Sequence, residues 1–162
     1  MVEDVVRALG LLCLGTRMKR IGDRLQAETQ KIMDTFDAPV QSGQYPLLAT
    51  VDRLGPLTVG ELAEAIGITQ PGATRAAALL VKLGFFEMRS ELHDQRRRIL
   101  SLSAKGQNLV DTARRDIWPQ IEAAVADLCG EGADPLLRQL GRLEDELAAV
   151  PLVARTEGKR RV

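Results

Sequence analysis

The residues that build metal sites and disulfide frameworks are scarce in this chain of 162 residues. It contains one histidine, His93, and two cysteines, Cys13 and Cys129, which are far apart in the sequence. Two distant cysteines provide neither a disulfide framework nor the spacing of a zinc site. A single histidine without a second one or a nearby cysteine does not favour a metal site. We therefore expect no metal, no cofactor and reduced thiols, as is usual for a cytoplasmic protein.

A net charge and long apolar segments are missing too. Lysine plus arginine and aspartate plus glutamate both number 22, so the formal net charge is zero. No apolar run approaches the length of a membrane span, and the first residues do not resemble a signal peptide. The chain is nevertheless 45% hydrophobic and has no internal repeat or low-complexity linker. This composition predicts one domain with its own core.

The groups that an enzyme active site needs are not found either. No nucleophile stands at a usable spacing from a general base, and there is no glycine-rich phosphate loop or metal-ligand cluster. The sequence therefore argues against an enzyme.

A helix-turn-helix pattern occupies the centre of the chain. Thr58 and Glu61 have the spacing of a capping box, and Gly67 ends the helix that follows. Thr69 precedes a second helix with Pro71 in its first turn, where the missing N–H of proline costs nothing. The second helix of such a pair normally lies in the major groove of DNA.

Two short apolar-rich segments, residues 85–88 and 99–102, follow the second helix. The polar run 93–98 between them predicts a hairpin that turns there. A hairpin directly behind a recognition helix is a wing. Three arginines that packing does not require lie at its predicted tip: Arg96, Arg97 and Arg98. Guanidinium groups suit a phosphate backbone or a narrow minor groove.

The charge of the chain is unevenly distributed. Residues 69–106 contain seven lysines and arginines and three acidic residues, so this segment has a charge of 7 − 3 = +4 although the whole chain is neutral. One basic face on a neutral body steers a polyanion to that face.

These motifs together resemble the MarR family of winged helix-turn-helix transcription regulators. The resemblance rests on LTVGELAEAIGITQPGATRAAALLVKLGFFEMRS, on Asp94-x-Arg96 and on ILSLSAKG leading into a helix. It implies a mostly α (α+β) fold in which residues 1–150 form a single domain. The winged core would span about 44–106, and N- and C-terminal dimerisation helices would span about 4–34 and 104–150. The basic tail 151–162 is predicted to be disordered.

The terminal helices themselves predict a partner chain. Their apolar faces recur at helical spacing, and the small winged core cannot cover them, so a homodimer is the economical solution. A two-fold dimer places two recognition helices about 34–36 Å apart and predicts an inverted-repeat operator. Gly10, Gly15 and Gly22 weaken the first helix; close helix approach, space for a ligand or simple tolerance would each explain them. Pro119 predicts a kink in the helix after the wing.

Polar residues on the exposed front of the second helix are candidates for reading DNA. Gln70 can read adenine and Arg75 guanine, while the hydroxyls of Thr69 and Thr74 suit phosphate or base edges. Alternatively, Thr69 is only an N-cap and Arg75 forms a surface salt bridge. The candidate DNA-binding residues are Thr69, Gln70, Gly72, Thr74, Arg75, Arg96, Arg97 and Arg98. The family resemblance implies that Asp94 orients Arg96 within the wing.

The sequence thus predicts a dimeric, sequence-specific DNA-binding regulator of transcription. The resemblance favours a repressor that a small-molecule effector releases from its operator. Arg17, Arg24, Tyr45 and Trp118 are candidates for an effector pocket, or else packing and surface residues. One alternative is a peroxide-sensing regulator acting through Cys13, although a free cysteine in an apolar stripe is more often inert. Another is an architectural protein without sequence preference.

Overall fold

The computed structural model describes residues 2–90 and 98–157, and in this part of the chain the structure is mostly helical with a small antiparallel sheet. The helices are α1 Val5–Ala8, α2 Leu14–Asp34, α3 Tyr45–Leu54, α4 Val59–Ile66, α5 Gln70–Lys82, α6 Ala104–Thr112, α7 Trp118–Cys129, α8 Ala133–Ala149 and α9 Leu152–Glu157. The strands are β1 Leu57–Thr58, β2 Phe86–Ser90 and β3 Arg98–Leu102. The chain divides into two compact units, residues 1–121 and 122–162.

The predicted helix-turn-helix is confirmed together with its end signals. The Thr58 hydroxyl accepts from the Glu61 N–H at 3.2 Å, and the Thr58 N–H donates to the Glu61 carboxylate at 2.7 Å. Gly67 ends α4 with a φ of 67°, in the left-handed region that glycine tolerates. The Thr69 hydroxyl then caps α5 by accepting from the Gly72 N–H at 3.3 Å. Local sequence chemistry therefore sets the boundaries of both helices.

The sheet contains one strand more than the sequence predicted. Strands β2 and β3 pair antiparallel, with Phe86 opposite Leu102, as expected for a wing. The additional strand β1 pairs with β3 through Leu57 and Leu100, so the order is β1-β3-β2. With two residues, β1 is too short to show the alternating pattern by which strands are recognised.

The core of the first unit lies between α3, the helix-turn-helix and the sheet. Its largest fully buried side chains are Phe85, Phe86, Met33, Leu48, Leu62, Leu80, Leu100 and Val110. These residues come from α2, α3, α4, α5, α6, the sheet and Phe85 directly before β2. Burial of one side of α5 in this core leaves its other side exposed.

The first helix was predicted as one continuous element over 4–34, and this is wrong. A 3₁₀ turn at Gly10–Cys13 separates α1 from α2, and Gly10 has a φ of 55°, which is incompatible with a continuing helix. An added Cβ at Gly15 or Gly22 would meet no atom within 4 Å. Close packing within the described residues therefore does not explain these two glycines.

The helix after the wing changes its hydrogen-bonding pattern near Pro119. Residues Ala113–Ile117 form a π-helical turn between α6 and α7. Proline lacks an N–H and clashes with the preceding turn of a regular helix, and a wider turn at this place accommodates it. The kink predicted at Pro119 stays a prediction, and the π-helical turn lies directly before Trp118 and Pro119.

The tail 151–162 was predicted to be disordered, and this is wrong for residues 152–157, which form α9. Arg155 donates to the carbonyl of Glu146 at 2.6 Å and to that of Val150 at 3.1 Å. It thereby adds a donor to the Glu146 carbonyl, which also accepts from the Val150 N–H at 3.1 Å, and supplies one to the Val150 carbonyl at the end of α8. The rest of the tail, 158–162, lies outside the described residues.

Large apolar side chains remain exposed on the terminal helices of each unit. In the first unit they include Leu11, Leu12 and Ile21, and in the second unit Leu136 and Leu147. Within the described ranges, no helix is both long and apolar enough to span a membrane.

Candidate nucleic-acid interface

Helix α5 has one buried and one exposed side. Ala73, Ala77 and Leu80 are fully buried. Four residues of the first turns lie on the exposed side and line a shallow concave surface that encloses a volume of about 490 Å³: Gln70, Pro71, Thr74 and Arg75. The predicted candidates on α5 are therefore grouped on the surface of the protein.

Arg75 has no ion-pair or hydrogen-bond partner among the described residues. Its side chain is exposed. The alternative interpretation as a surface salt bridge has no support within this part of the chain. An unpaired guanidinium keeps all its donors available for a ligand with paired acceptors, such as the O6 and N7 atoms of guanine.

The hydroxyls of Thr69 and Thr74 differ in whether their hydrogen atom is available to a ligand. The Thr69 oxygen accepts from the Gly72 N–H, so its own hydrogen remains free to donate. The Thr74 hydroxyl donates to the Gln70 carbonyl at 2.9 Å, so its hydrogen is used inside the helix. Gly72 supports the cap, because a Cβ at this position would lie 3.1 Å from the Thr69 oxygen.

The structure describes the two strands of the wing, β2 and β3. The predicted tip residues Asp94, Arg96 and Arg97 lie outside the described residues, as does His93. Arg98 is the first residue of β3, pairs with Ser90 and is exposed.

Of the other basic residues near α5, some serve structural contacts. Arg89 pairs with Glu87 at 2.8 Å. Lys105 donates to the Leu83 carbonyl at 2.8 Å and lies 4.4 Å from the centre of the Phe85 ring. Arg75 and Arg98 are therefore better placed than Arg89 or Lys105 to meet a polyanion.

The end of α5 is closely connected to the start of α6, whose N-cap is Ser103. The Ser103 hydroxyl accepts from the Gly106 N–H at 3.0 Å and donates to the Gly84 carbonyl at 2.6 Å. The Ser103 N–H donates to the Phe85 carbonyl at 3.0 Å. The segment that follows α5 is thereby tied to the start of α6 through Ser103 and a few backbone groups.

The structure brings together two of the four candidate effector residues. Tyr45 and Trp118 pack edge to face, with ring centroids 6.1 Å apart. They line an apolar pocket of about 300 Å³ between α2, α3 and the start of α7. Arg17 and Arg24 lie on α2 but are not among the described residues that line this pocket.

The Tyr45 hydroxyl is a buried polar group without a hydrogen-bond partner among the described residues. Burial raises the pKa of this phenol above its ordinary value, because the charged form loses its hydration. Tyr45 is thus held as a neutral phenol next to an apolar pocket.

Replacing Tyr45 with phenylalanine should stabilise the protein. The exchange removes an unpartnered hydroxyl and should raise the free energy of unfolding by about 1 kcal/mol near neutral pH. In the parent, the unfolded phenol ionises from about pH 10 while the folded one stays neutral, so stability should fall above that pH. Urea denaturation at pH 7 and between pH 9 and 11 measures both effects. A loss of stability at pH 7 would mean that the hydroxyl has a partner.

An ion-pair network beside the pocket was not predicted. Asp52 on α3 accepts from Arg114 and, at 3.0 Å, from Gln107. The Arg114 guanidinium also lies 5.9 Å from the centre of the Trp118 ring. A chain of contacts therefore runs from the aromatic pair to α3, the helix before the helix-turn-helix. Asp52 and Arg114 are 62 positions apart in sequence, and no local pattern indicates such pairing.

Cys13 is the last residue of the 3₁₀ turn between α1 and α2, and its thiol is free and partly exposed. The single tyrosine of the chain, Tyr45, lines the pocket on α3. Within the described residues, no group of histidine, cysteine and acidic side chains is arranged to hold a metal ion.

The capped helix pair, the paired strands behind it and the exposed polar front of α5 define a winged helix-turn-helix protein. Residues 38–97 match the model of the MarR family. Over this segment the chain is similar to this family of transcription regulators.

Individual relatives agree with this assignment. An uncharacterized HTH-type transcriptional regulator of Mycobacterium leprae is 35% identical over 78 residues, which are 48% of this chain and 54% of that protein. The match thus spans about half the length of this curated relative. A mutant MarR from E. coli, crystallised with operator DNA, has a TM-score of 0.75 at 14% identity and covers 87% of this chain and 99% of its own. BpsR of Bordetella bronchiseptica, whose structure concerns regulation of its DNA binding by 6-hydroxynicotinic acid, has a TM-score of 0.72 at 17% identity, with coverages of 82% and 93%. At such identities the structural likeness shows the fold alone.

Proposed function

We propose that this protein is a dimeric, sequence-specific DNA-binding repressor that a small-molecule effector releases from an inverted-repeat operator. The observation that carries the proposal is the exposed front of α5, where Arg75 is unpaired among the described residues while the opposite side of the helix is buried. Such a surface has no role in packing, and its donors match base edges in the major groove. The operator complex of the E. coli relative supports this use of the fold.

Dimerisation is supported by the apolar side chains that the terminal helices leave exposed. Leu11 and Leu12 in the first unit are 87% and 82% exposed, and Leu128 in the second is 71% exposed. Covering such surfaces with a second copy of the chain is favourable by about 25 cal/mol per Å² of apolar area. A symmetric dimer would present two copies of α5 to two half-sites, hence an inverted repeat.

Effector control is supported by the pocket at Tyr45 and Trp118. Its apolar lining suits a small aromatic compound, and Arg114 connects Trp118 to Asp52 on α3. A bound compound relieves repression only if it prefers the conformation that does not fit the operator. Trp118 is the only tryptophan of the chain, so its fluorescence can report binding of candidate aromatic compounds directly.

Arginine substitutions test the DNA-binding assignment. Arg75→Ala should weaken operator binding by about 1–3 kcal/mol and relax specificity at one base pair. Arg96→Ala should weaken operator and random DNA alike and reduce the slope of log K against log salt by about 1. The operator is obtained by selection from a random duplex pool, and affinities are measured by fluorescence anisotropy at several salt concentrations.

Lys31→Ala is the matched control, because it removes one positive charge from α2, where Lys31 pairs with Glu28. If Arg75→Ala binds operator as well as the parent does, α5 does not read DNA as proposed. If selection enriches no sequence, the protein is an architectural DNA binder or does not bind DNA at all.

A further inference from the structure

The concave surface at the start of α5 is mainly apolar, although three of its four lining residues have polar side chains. The hydroxyl hydrogen of Thr74 is used by the Gln70 carbonyl, so this side chain offers its methyl group and an oxygen lone pair. Pro71 adds the methylenes of its ring and has no N–H to donate. What faces outward between the ends of Gln70 and Arg75 is therefore hydrocarbon.

Folding of the protein does not account for this hydrocarbon surface. Pro71 and Thr74 are both exposed, and neither belongs to the core, which on α5 is made by Ala73, Ala77 and Leu80. Proline at the start of a helix has a conformational explanation. This explanation does not extend to Thr74, one turn further along on the same face.

We infer that Pro71 and Thr74 form a site for the 5-methyl group of thymine in the major groove. This inference rests on the proposed function, since it concerns the same helix face. Among the groups that unmodified base pairs present in the major groove, the thymine methyl is the only apolar one. The neighbouring ends of Gln70 and Arg75 supply the hydrogen bonds to adjacent bases, so the surface reads one methyl between polar contacts.

The test replaces thymine by uracil, which removes the methyl and leaves the base pairing unchanged. After selection of the operator with the full chain, each thymine of one half-site is exchanged singly and the dissociation constant is measured. One exchange should weaken binding about fourfold, which is the transfer free energy of one methyl group, and about 16-fold when made in both half-sites. Exchanges elsewhere should change it less than twofold.

Protein variants assign the effect to the two residues. Thr74→Ser keeps the hydroxyl and loses the methyl, so it should lose most of the difference between thymine and uracil operators and keep only the part that Pro71 contributes. Thr74→Val keeps the methyl and should stay sensitive to uracil, while Pro71→Ala should lose part of the sensitivity. Thermal unfolding verifies that each variant is folded.

A selected operator with no uracil-sensitive position, or an unchanged sensitivity in Thr74→Ser and Pro71→Ala, would overturn the inference and leave the proposed regulator intact. Failure to select any sequence would instead contradict the proposed sequence-specific regulator, and the thymine site that rests on it.

Discussion

Replacing Gly106 with alanine is expected to lower the free energy of unfolding by about 3 kcal/mol, the upper end of the usual cost of overpacking. An added Cβ would overlap with the Phe85 carbonyl oxygen and would lie 3.1 Å from a methyl of Leu102. The carbonyl cannot turn away, because it accepts from the Ser103 N–H at 3.0 Å. The start of α6 must therefore retreat and give up the Ser103 contacts that tie it to the end of α5.

Urea denaturation followed by circular dichroism measures this loss. Gly60→Ala is the matched control, since Gly60 also lies in the first turn of a helix, α4, and a Cβ there would lie 3.8 Å from its nearest neighbour, the Thr58 hydroxyl oxygen. That exchange should be neutral or stabilising by up to about 1 kcal/mol. Equal effects of the two substitutions would show that steric overlap at the junction is not what makes Gly106 necessary.

Whether a feature could be predicted from the sequence depends on how far apart in the chain its interacting residues lie. The capping box of Thr58 and Glu61, the glycine at position 67 and the N-cap Ser103 were all predictable, because each involves partners within three or four residues. The wing strands were predictable because apolar residues flank a polar run. These local signals were sufficient to predict the helix-turn-helix and its exposed face.

Contacts between distant residues could not be predicted in the same way. Gly106 looks like an ordinary helical glycine until the Phe85 carbonyl is placed beside it, and Asp52 gives no sign of its pairing with Arg114. The break at Gly10 was missed because the apolar spacing continues across it. Spacing reports which face of a helix is apolar, while the backbone conformation of one glycine decides whether the helix is continuous.

Converting Leu147 to glutamate should separate the proposed dimer and abolish tight operator binding. Leu147 lies on the apolar stripe of α8 and is 51% exposed in the protomer. In a two-fold interface each substitution acts twice, so two unpaired carboxylates would have to be buried. We expect self-association to weaken at least about 100-fold, since even about 1.4 kcal/mol per carboxylate gives that factor. Operator affinity should fall by about the same factor, because a monomer holds only one half-site.

Ala149→Glu is the control that distinguishes disruption of the interface from a general effect of the added charge. Ala149 is also exposed, is the last residue of α8 and lies two residues after Leu147, about 200° around the helix, so the added charge is in the same final turn but faces the other side. Sedimentation velocity should find the Ala149 variant dimeric and the Leu147 variant monomeric at micromolar concentration. A Leu147 variant that stays dimeric would remove the stripe of α8 from the interface. If both variants are monomeric, charge near the end of α8, and not burial of the stripe, controls assembly.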